Sequence, residues 1–261
     1  MMAHVRLHVH EFGPGAGRTV VALHGVTGAA TVFRRLAHRL PSFRLVAPDL
    51  RGHGGSRADP PWDLSMHLRD VRETLDAMGI SRAPFIGFSF GGRLAMELVA
   101  SDRSRVEKLV LLDPAIQMTG ESVVARTNEL LLDTSWADAA EAIASRLASG
   151  AAPYAPREHW ELWSEGLVEG SDGRVRLPFS RPAAITIYSE LATSAPRFES
   201  LRLPTLIIVG SESALVTQKQ RESYKYELAD FLELKSVRAK HNVIADAADE
   251  VAAAIGAFLA R

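Results

Sequence analysis

The stretch that most restricts the architecture runs from Ala83 to Ala100. A continuous apolar run, Ala83 to Phe88, reads as a fully buried strand, and Gly92 to Ala100 reads as an amphipathic helix. Only Ser89, Phe90 and Gly91 separate them, so the chain must turn sharply from strand to helix with Ser89 at the bend. This is the context that gives the pattern Gly87-Phe88-Ser89-Phe90-Gly91 chemical meaning: it is a G-x-S-x-G elbow that lifts one hydroxyl out of the chain. Glycines at 87 and 91 are expected where a Cβ would collide with neighbouring backbone. The following helix start directs free N–H groups and a partial positive charge towards the same place. The pattern alone is also compatible with an idle serine in a glycine-rich connection.

An elbow of this kind needs a sheet beneath it, and the chain supplies one. Apolar strands are expected at His4–Phe12, Thr19–Leu23, Phe43–Pro48, Val106–Leu112, Pro204–Val209 and Phe231–Val237. Helices are expected at Thr31–Leu40, Leu64–Met78 and Asp246–Leu259, with Gly79 closing the second. The alternation points to an α/β protein with a mostly parallel sheet. With 261 residues, 47% of them hydrophobic, the chain can bury one large core. Thirty basic against thirty-one acidic residues leave a formal charge of −1, so no basic field for nucleic acid or anionic membrane is present. Cysteine is absent, which removes disulfides, thiol nucleophiles and zinc–thiolate sites. No stretch approaches the ~20 apolar residues of a membrane span, and the amino terminus has no signal-peptide core, so a soluble cytoplasmic protein is expected.

Two further segments bear on Ser89. The second strand runs into His24-Gly25-Val26-Thr27-Gly28, whose unpaired N–H groups make Val26 a candidate donor to an oxyanion beside Phe90. The third runs into the polar turn Asp49-Leu50-Arg51-Gly52-His53-Gly54-Gly55-Ser56, whose side chains are expected mainly to hydrogen-bond the loop in place. His8 and His10 can share a face of the first strand and could bind a metal, but a solvated strand edge is the expected reading. No metal or cofactor is expected, and the partner implied is a small-molecule substrate.

His24-Gly25, the 49–56 turn and the elbow, in this order and at these separations, resemble the α/β-hydrolase-fold serine hydrolases of the esterase/lipase type. The likeness covers nearly the whole chain except its middle. It implies a Ser-His-acid triad, an oxyanion hole and a helical cap inserted after the sixth strand. Residues 115–187 answer to the cap, between core segments 1–114 and 188–261. There, helical patterns at Ser122–Leu132, Trp136–Leu147 and Arg157–Leu167 replace the strand–helix alternation, and Arg181–Ala192 is a last cap helix or a return to the core. Trp160 and Trp163 share a helix face and are candidates both for packing the cap and for lining the substrate site.

The resemblance assigns Ser89 as nucleophile and His241, after the last strand, as its base. The family's acid commonly lies three residues past the glycine that ends the preceding strand, where this chain has Ser213; Glu212 is the preferred acid and Asp113 the alternative. Lys240 replaces the glycine usual before the histidine. The reaction implied is cleavage of carboxylic esters of small to medium hydrophobic substrates through an acyl-serine. Alternatives are lactone or carbon–carbon bond hydrolysis, or a silent member of the fold that binds a small ligand.

Overall fold

A computed structural model describes residues 7–132, 134–198 and 201–261; His4 and Val5 of the expected first strand lie outside these. The core strands are β1 (Val9–Phe12), β2 (Arg18–Leu23), β3 (Phe43–Pro48), β4 (Ala83–Phe88) and β5 (Val106–Leu112). Between them lie α1 (Arg34–His38), α2 (Leu64–Ala77) and α3 (Phe90–Ser101). An insertion follows: α4 (Gly120–Leu131), β6 (Ser135–Trp136), α5 (Ala139–Ala148), α6 (Arg157–Ser164), β7 (Val168–Glu169), β8 (Val175–Arg176) and α7 (Arg181–Leu191). The chain closes with β9 (Thr205–Gly210), α8 (Gln218–Leu228), β10 (Leu232–Val237), α9 (Val243–Asp246) and α10 (Ala248–Ala260).

The main sheet has seven strands in the order β1-β3-β2-β4-β5-β9-β10. Every pairing is parallel except β1 with β3. Parallel strands are covered on both faces, which is why β4 and β9 are buried at every position and show no polar alternation. Successive residues nevertheless serve opposite cores. Val21, Leu23, Phe85, Leu111 and Ile207 pack towards α2, α3, α7 and α8. Val20, Ala22, Ile86, Val110 and Leu206 pack towards α1, α9 and α10.

Counted among the described residues, the insertion follows the fifth strand, where the resemblance implied the sixth. It is helical, as expected, but also carries the small antiparallel sheet β6-β8-β7. Trp136, expected inside a helix, pairs in that sheet with Val175. Helix α5 starts later because the Asp138 carboxylate accepts from Glu141 N–H and fixes the N-cap there. The expected boundary at residue 187 falls within α7, whose Ala184, Ile187 and Leu191 belong to the main core. The last helix is divided: Asn242 caps α9, and non-helical backbone at Ala247 (φ −132°, ψ 41°) interrupts the run before α10.

Candidate active site

In an open parallel sheet, chemistry collects beyond the carboxyl ends of the strands. The loops after β2, β4, β5 and β10 carry Val26, Ser89, Asp113 and His241 to that edge. Ser89 has φ +54° and ψ −115°, a backbone conformation that an L-residue adopts only under constraint. The constraint is visible in its neighbours. A Cβ on Gly87 would stand 2.5 Å from the Gly91 carbonyl oxygen, and one on Gly91 would stand 2.0 Å from that of Leu23. Ser89 N–H donates to Leu112 O at 3.0 Å, tying the bend to the neighbouring strand.

Ser89 Oγ lies 3.0 Å from His241 Nε2, and His241 Nδ1 lies 2.7 Å from Asp113 Oδ2. A carboxylate only accepts, so the imidazole proton sits on Nδ1 and leaves the Nε2 lone pair facing the Ser89 hydroxyl. Phe88 stacks on the imidazole with ring centroids 5.1 Å apart, fixing the plane in which that lone pair points. Asp113 is fully buried, at φ +41°. Its Oδ1 accepts from Gly210 N–H (3.0 Å), and Oδ2 also accepts from the Ser213 hydroxyl (2.6 Å).

The geometry therefore reverses the ranking of the two carboxylates. Glu212 turns away towards the insertion, where its Oε1 accepts from the Tyr154 hydroxyl at 2.6 Å. The position at which an acid was sought holds Ser213, and that serine donates to Asp113 instead. Lys240 likewise serves the insertion: its Nζ donates to Gly150 O at 3.0 Å, while its backbone N–H donates to Asp246 Oδ2 at 3.0 Å.

Neither candidate oxyanion donor is taken up by a backbone acceptor among the described residues. Phe90 N–H opens α3, where no intrahelical acceptor exists, and Val26 N–H enters no backbone hydrogen bond among the described residues. A Cβ on Gly25 would come within 3.1 Å of Ser89 Cβ, so glycine lets the loop approach the nucleophile. His24 and His53, from the two motifs named in the sequence, shape this loop. His24 Nε2 accepts from Leu50 N–H (2.9 Å), so its Nδ1–H donates to Gly25 O (2.8 Å). Burial, aided by the nearby His53, lowers the His24 pKa to about 3 and keeps the ring neutral. His53 faces the Val26 carbonyl with Nε2 and the Arg51 carbonyl with Nδ1, and a neutral ring donates to one of the two. The 49–56 turn is thus a brace for the donor loop, and its own anchor is the buried pair of Arg51 with Asp70 at 2.6 and 2.8 Å.

A cavity of about 210 Å³ adjoins Ser89 and His241. Trp163 lines it, whereas Trp160, 4% exposed, packs with Ala152 and Ala245 where the insertion meets the core. Arg35, Arg146, His159 and Tyr188 also line it. Three of these four come from the insertion, where no local sequence pattern marks a side chain as facing the cavity.

Among the described residues one group could be considered for a metal ion: His8, His10 and Asp49, with ligand atoms within 4.8 Å of one another. The structure thus supplies a carboxylate that is distant in sequence. Asp49 is already engaged, accepting from Ala30 N–H (2.8 Å), Gly55 N–H (2.9 Å) and facing His10 Nε2 (3.2 Å), so its oxygens hold the turn. No described helix is long and apolar enough to cross a membrane.

Comparison with known proteins follows the same lines. The family model described as alpha/beta hydrolase fold matches residues 18–248. Lipase LipV of Mycobacterium tuberculosis is 33% identical over 236 residues, 87% of this chain and 90% of LipV. Esterase YbfF of Escherichia coli is 29% identical over 251 residues, 92% of each chain. Among solved structures, E-2-(acetamidomethylene)succinate hydrolase superposes with a TM-score of 0.86 over 99% of this chain and 97% of its own, at 23% identity.

Proposed function

This chain belongs to the α/β-hydrolase fold family, and from that premise we propose that it hydrolyses carboxylic esters of small substrates through an acyl-serine intermediate. The observation that carries the reading is the unbroken relay from Ser89 Oγ through the His241 ring to Asp113, at 3.0 and 2.7 Å. A serine hydroxyl is a weak nucleophile until a neutral imidazole takes its proton. His241 Nε2 accepts that proton as Ser89 Oγ bonds to the ester carbon, and the carbonyl electrons move onto oxygen. Val26 and Phe90 N–H groups stabilise that oxyanion; loss of one such donor costs about 3 kcal/mol in the barrier. Collapse breaks the bond to the alcohol, which leaves with the proton from His241. Water, deprotonated by the same ring, then releases the acid. Asp113 stays ionised, holding the tautomer and stabilising the imidazolium.

Ester cleavage is favoured over carbon–carbon bond chemistry by the coverage of the relatives. LipV and YbfF match across most of the chain. The putative 2-succinyl-6-hydroxy-2,4-cyclohexadiene-1-carboxylate synthase of Bacillus subtilis, 33% identical, matches over 51% of it. The test is Ser89→Ala: turnover of p-nitrophenyl acetate and labelling by a fluorophosphonate are both expected to disappear while the thermal transition persists. Undiminished turnover in this variant would end the proposal.

A further inference from the structure

One guanidinium in the cavity wall has no counterpart. Arg146, on α5, lines the cavity, and its Nε is buried without a hydrogen-bond partner. Among the described residues no carboxylate pairs with it and no carbonyl or hydroxyl accepts from it. The arginines that are fully buried among the described residues have other partners, although the Nε of Arg35, which lines the same cavity, is likewise without a hydrogen bond. Arg51 is clamped by Asp70, Arg93 binds Glu97 and the Thr193 and Ser194 carbonyls, and Arg35 donates to Ala245 O with Glu158 3.8 Å away. Trp163, whose ring centroid is 5.9 Å from the guanidinium carbon, orients Arg146 but accepts none of its N–H donors in the plane.

An unpaired guanidinium that is half-buried, with its Nε out of contact with water, is costly, and its natural complement is an anion with planar oxygen geometry. The surroundings suit one. Burial pulls the Arg146 pKa down, and only Tyr188 opposes the shift, no acidic side chain being close enough to do so. Tyr188, also kept protonated by burial, lines the same cavity. His159, lowered to about 4 by burial and then by Arg35 and Arg146, is neutral and competes for no anion as a fixed counter-charge would be competed for.

We propose that Arg146 is the recognition point for a carboxylate carried on the acyl part of the substrate, so that the preferred substrates are small half-esters of dicarboxylic acids. This rests on the ester-hydrolase reading above and names its substrate class. Hydrolysis breaks the acyl C–O bond, water supplies the oxygen of the new carboxylate, and the products are a dicarboxylate dianion, an alcohol and a proton. The carboxylate that Arg146 holds takes no part in bond exchange and serves to place the ester carbonyl at Ser89.

The test compares wild type, Arg146→Met and Arg146→Lys in two measurements. The first is steady-state hydrolysis of the monoethyl against the diethyl esters of succinate, glutarate and adipate. Wild type is expected to prefer the half-ester of at least one chain length, and Arg146→Met is expected to lower the half-ester to diester ratio of kcat/KM about 10- to 100-fold, mainly through KM. Arg146→Lys, which keeps the charge without the fork, is expected to fall between. The second is calorimetric titration with the three free dicarboxylates, which needs no turnover; binding by wild type is expected to weaken at least tenfold in Arg146→Met. Equal ratios and equal binding in wild type and both variants would overturn the proposal, as would a wild type that binds none of the dicarboxylates and shows no preference. If no ester is cleaved and Ser89 resists fluorophosphonate, the hydrolase reading fails. Dicarboxylate binding that depends on Arg146 would still uphold the carboxylate site, and binding indifferent to Arg146 would remove it.

Discussion

The Asp113 carboxylate receives three hydrogen bonds, from Gly210 N–H, the Ser213 hydroxyl and His241 Nδ1. An amide at this position turns one oxygen into a donor, so either the imidazole proton moves to Nε2 or a buried N–H group faces another donor. Asp113→Asn is therefore expected to lower kcat on p-nitrophenyl acetate by roughly 10³- to 10⁴-fold. Glu212→Gln removes only charge from a contact with Tyr154 and is expected to change kcat less than about threefold. Equal losses in the two variants would return Glu212 to the relay. Ser89 and His241 could be located from the sequence because each follows a strongly apolar strand and has local neighbours that define its turn. The acid could not. Asp113 and Glu212 both follow buried strands, and the choice depends on the direction in which each loop leaves the sheet, which is fixed by contacts such as Ser213 with Asp113 that lie 100 positions apart in the chain.

Among elements, the β4–α3 junction is the one whose packing leaves no freedom. Added methyls at Gly87 or Gly91 would meet backbone atoms, which cannot rotate away. Gly87→Ala and Gly91→Ala are each expected to cost about 3 kcal/mol or more, read as a fall in the urea midpoint. Gly120, the first residue of α4, has nothing within 4 Å of its added methyl, and Gly120→Ala is expected to be neutral or to stabilise by up to about 1 kcal/mol. The long core strands were legible as continuous apolar runs, and α2 because it is long enough to carry a helical period. The sheet β6-β8-β7 was not, since strands of two residues have no period to detect, and Trp136 looked helical for lack of one. Trp160 and Trp163 share a helix face as read, yet they differ in exposure to the cavity because the second layer of packing, not the helix itself, determines which ring is covered.

At the scale of the whole molecule, buried neutral histidines couple folding to pH. Burial lowers His24 and His67 to about 3 and lowers His53 as well. In the unfolded chain these rings titrate near the ordinary value of about 6.5. Below that pH the unfolded state binds protons that the folded state refuses, so stability falls as pH drops from about 6.5 towards about 3, by up to about 1.4 kcal/mol per pH unit for each of His24 and His67, with His53 acting in the same direction. His67, whose two ring nitrogens have no partner and whose edge meets Phe90, is the simplest to replace. His67→Leu is expected to flatten the dependence of the urea midpoint between pH 7.5 and 5, and an unchanged slope would show that this ring takes up its proton in the folded protein. The α/β architecture itself was legible across the chain, because strand and helix periods alternate without interruption until the insertion. The seat of the insertion was not, because it depends on distant partners such as Lys240 with Gly150 and Tyr154 with Glu212 and Asp246.

The relay draws its hydroxyl, its carboxylate and its imidazole from the turns after β4, β5 and β10, and β10 is an edge strand of the sheet and the latest of the three in the chain. Until that strand has been made and has docked, the chain carries an unreactive alcohol, so covalent labelling of Ser89 during refolding would report directly on when the closing strand docks.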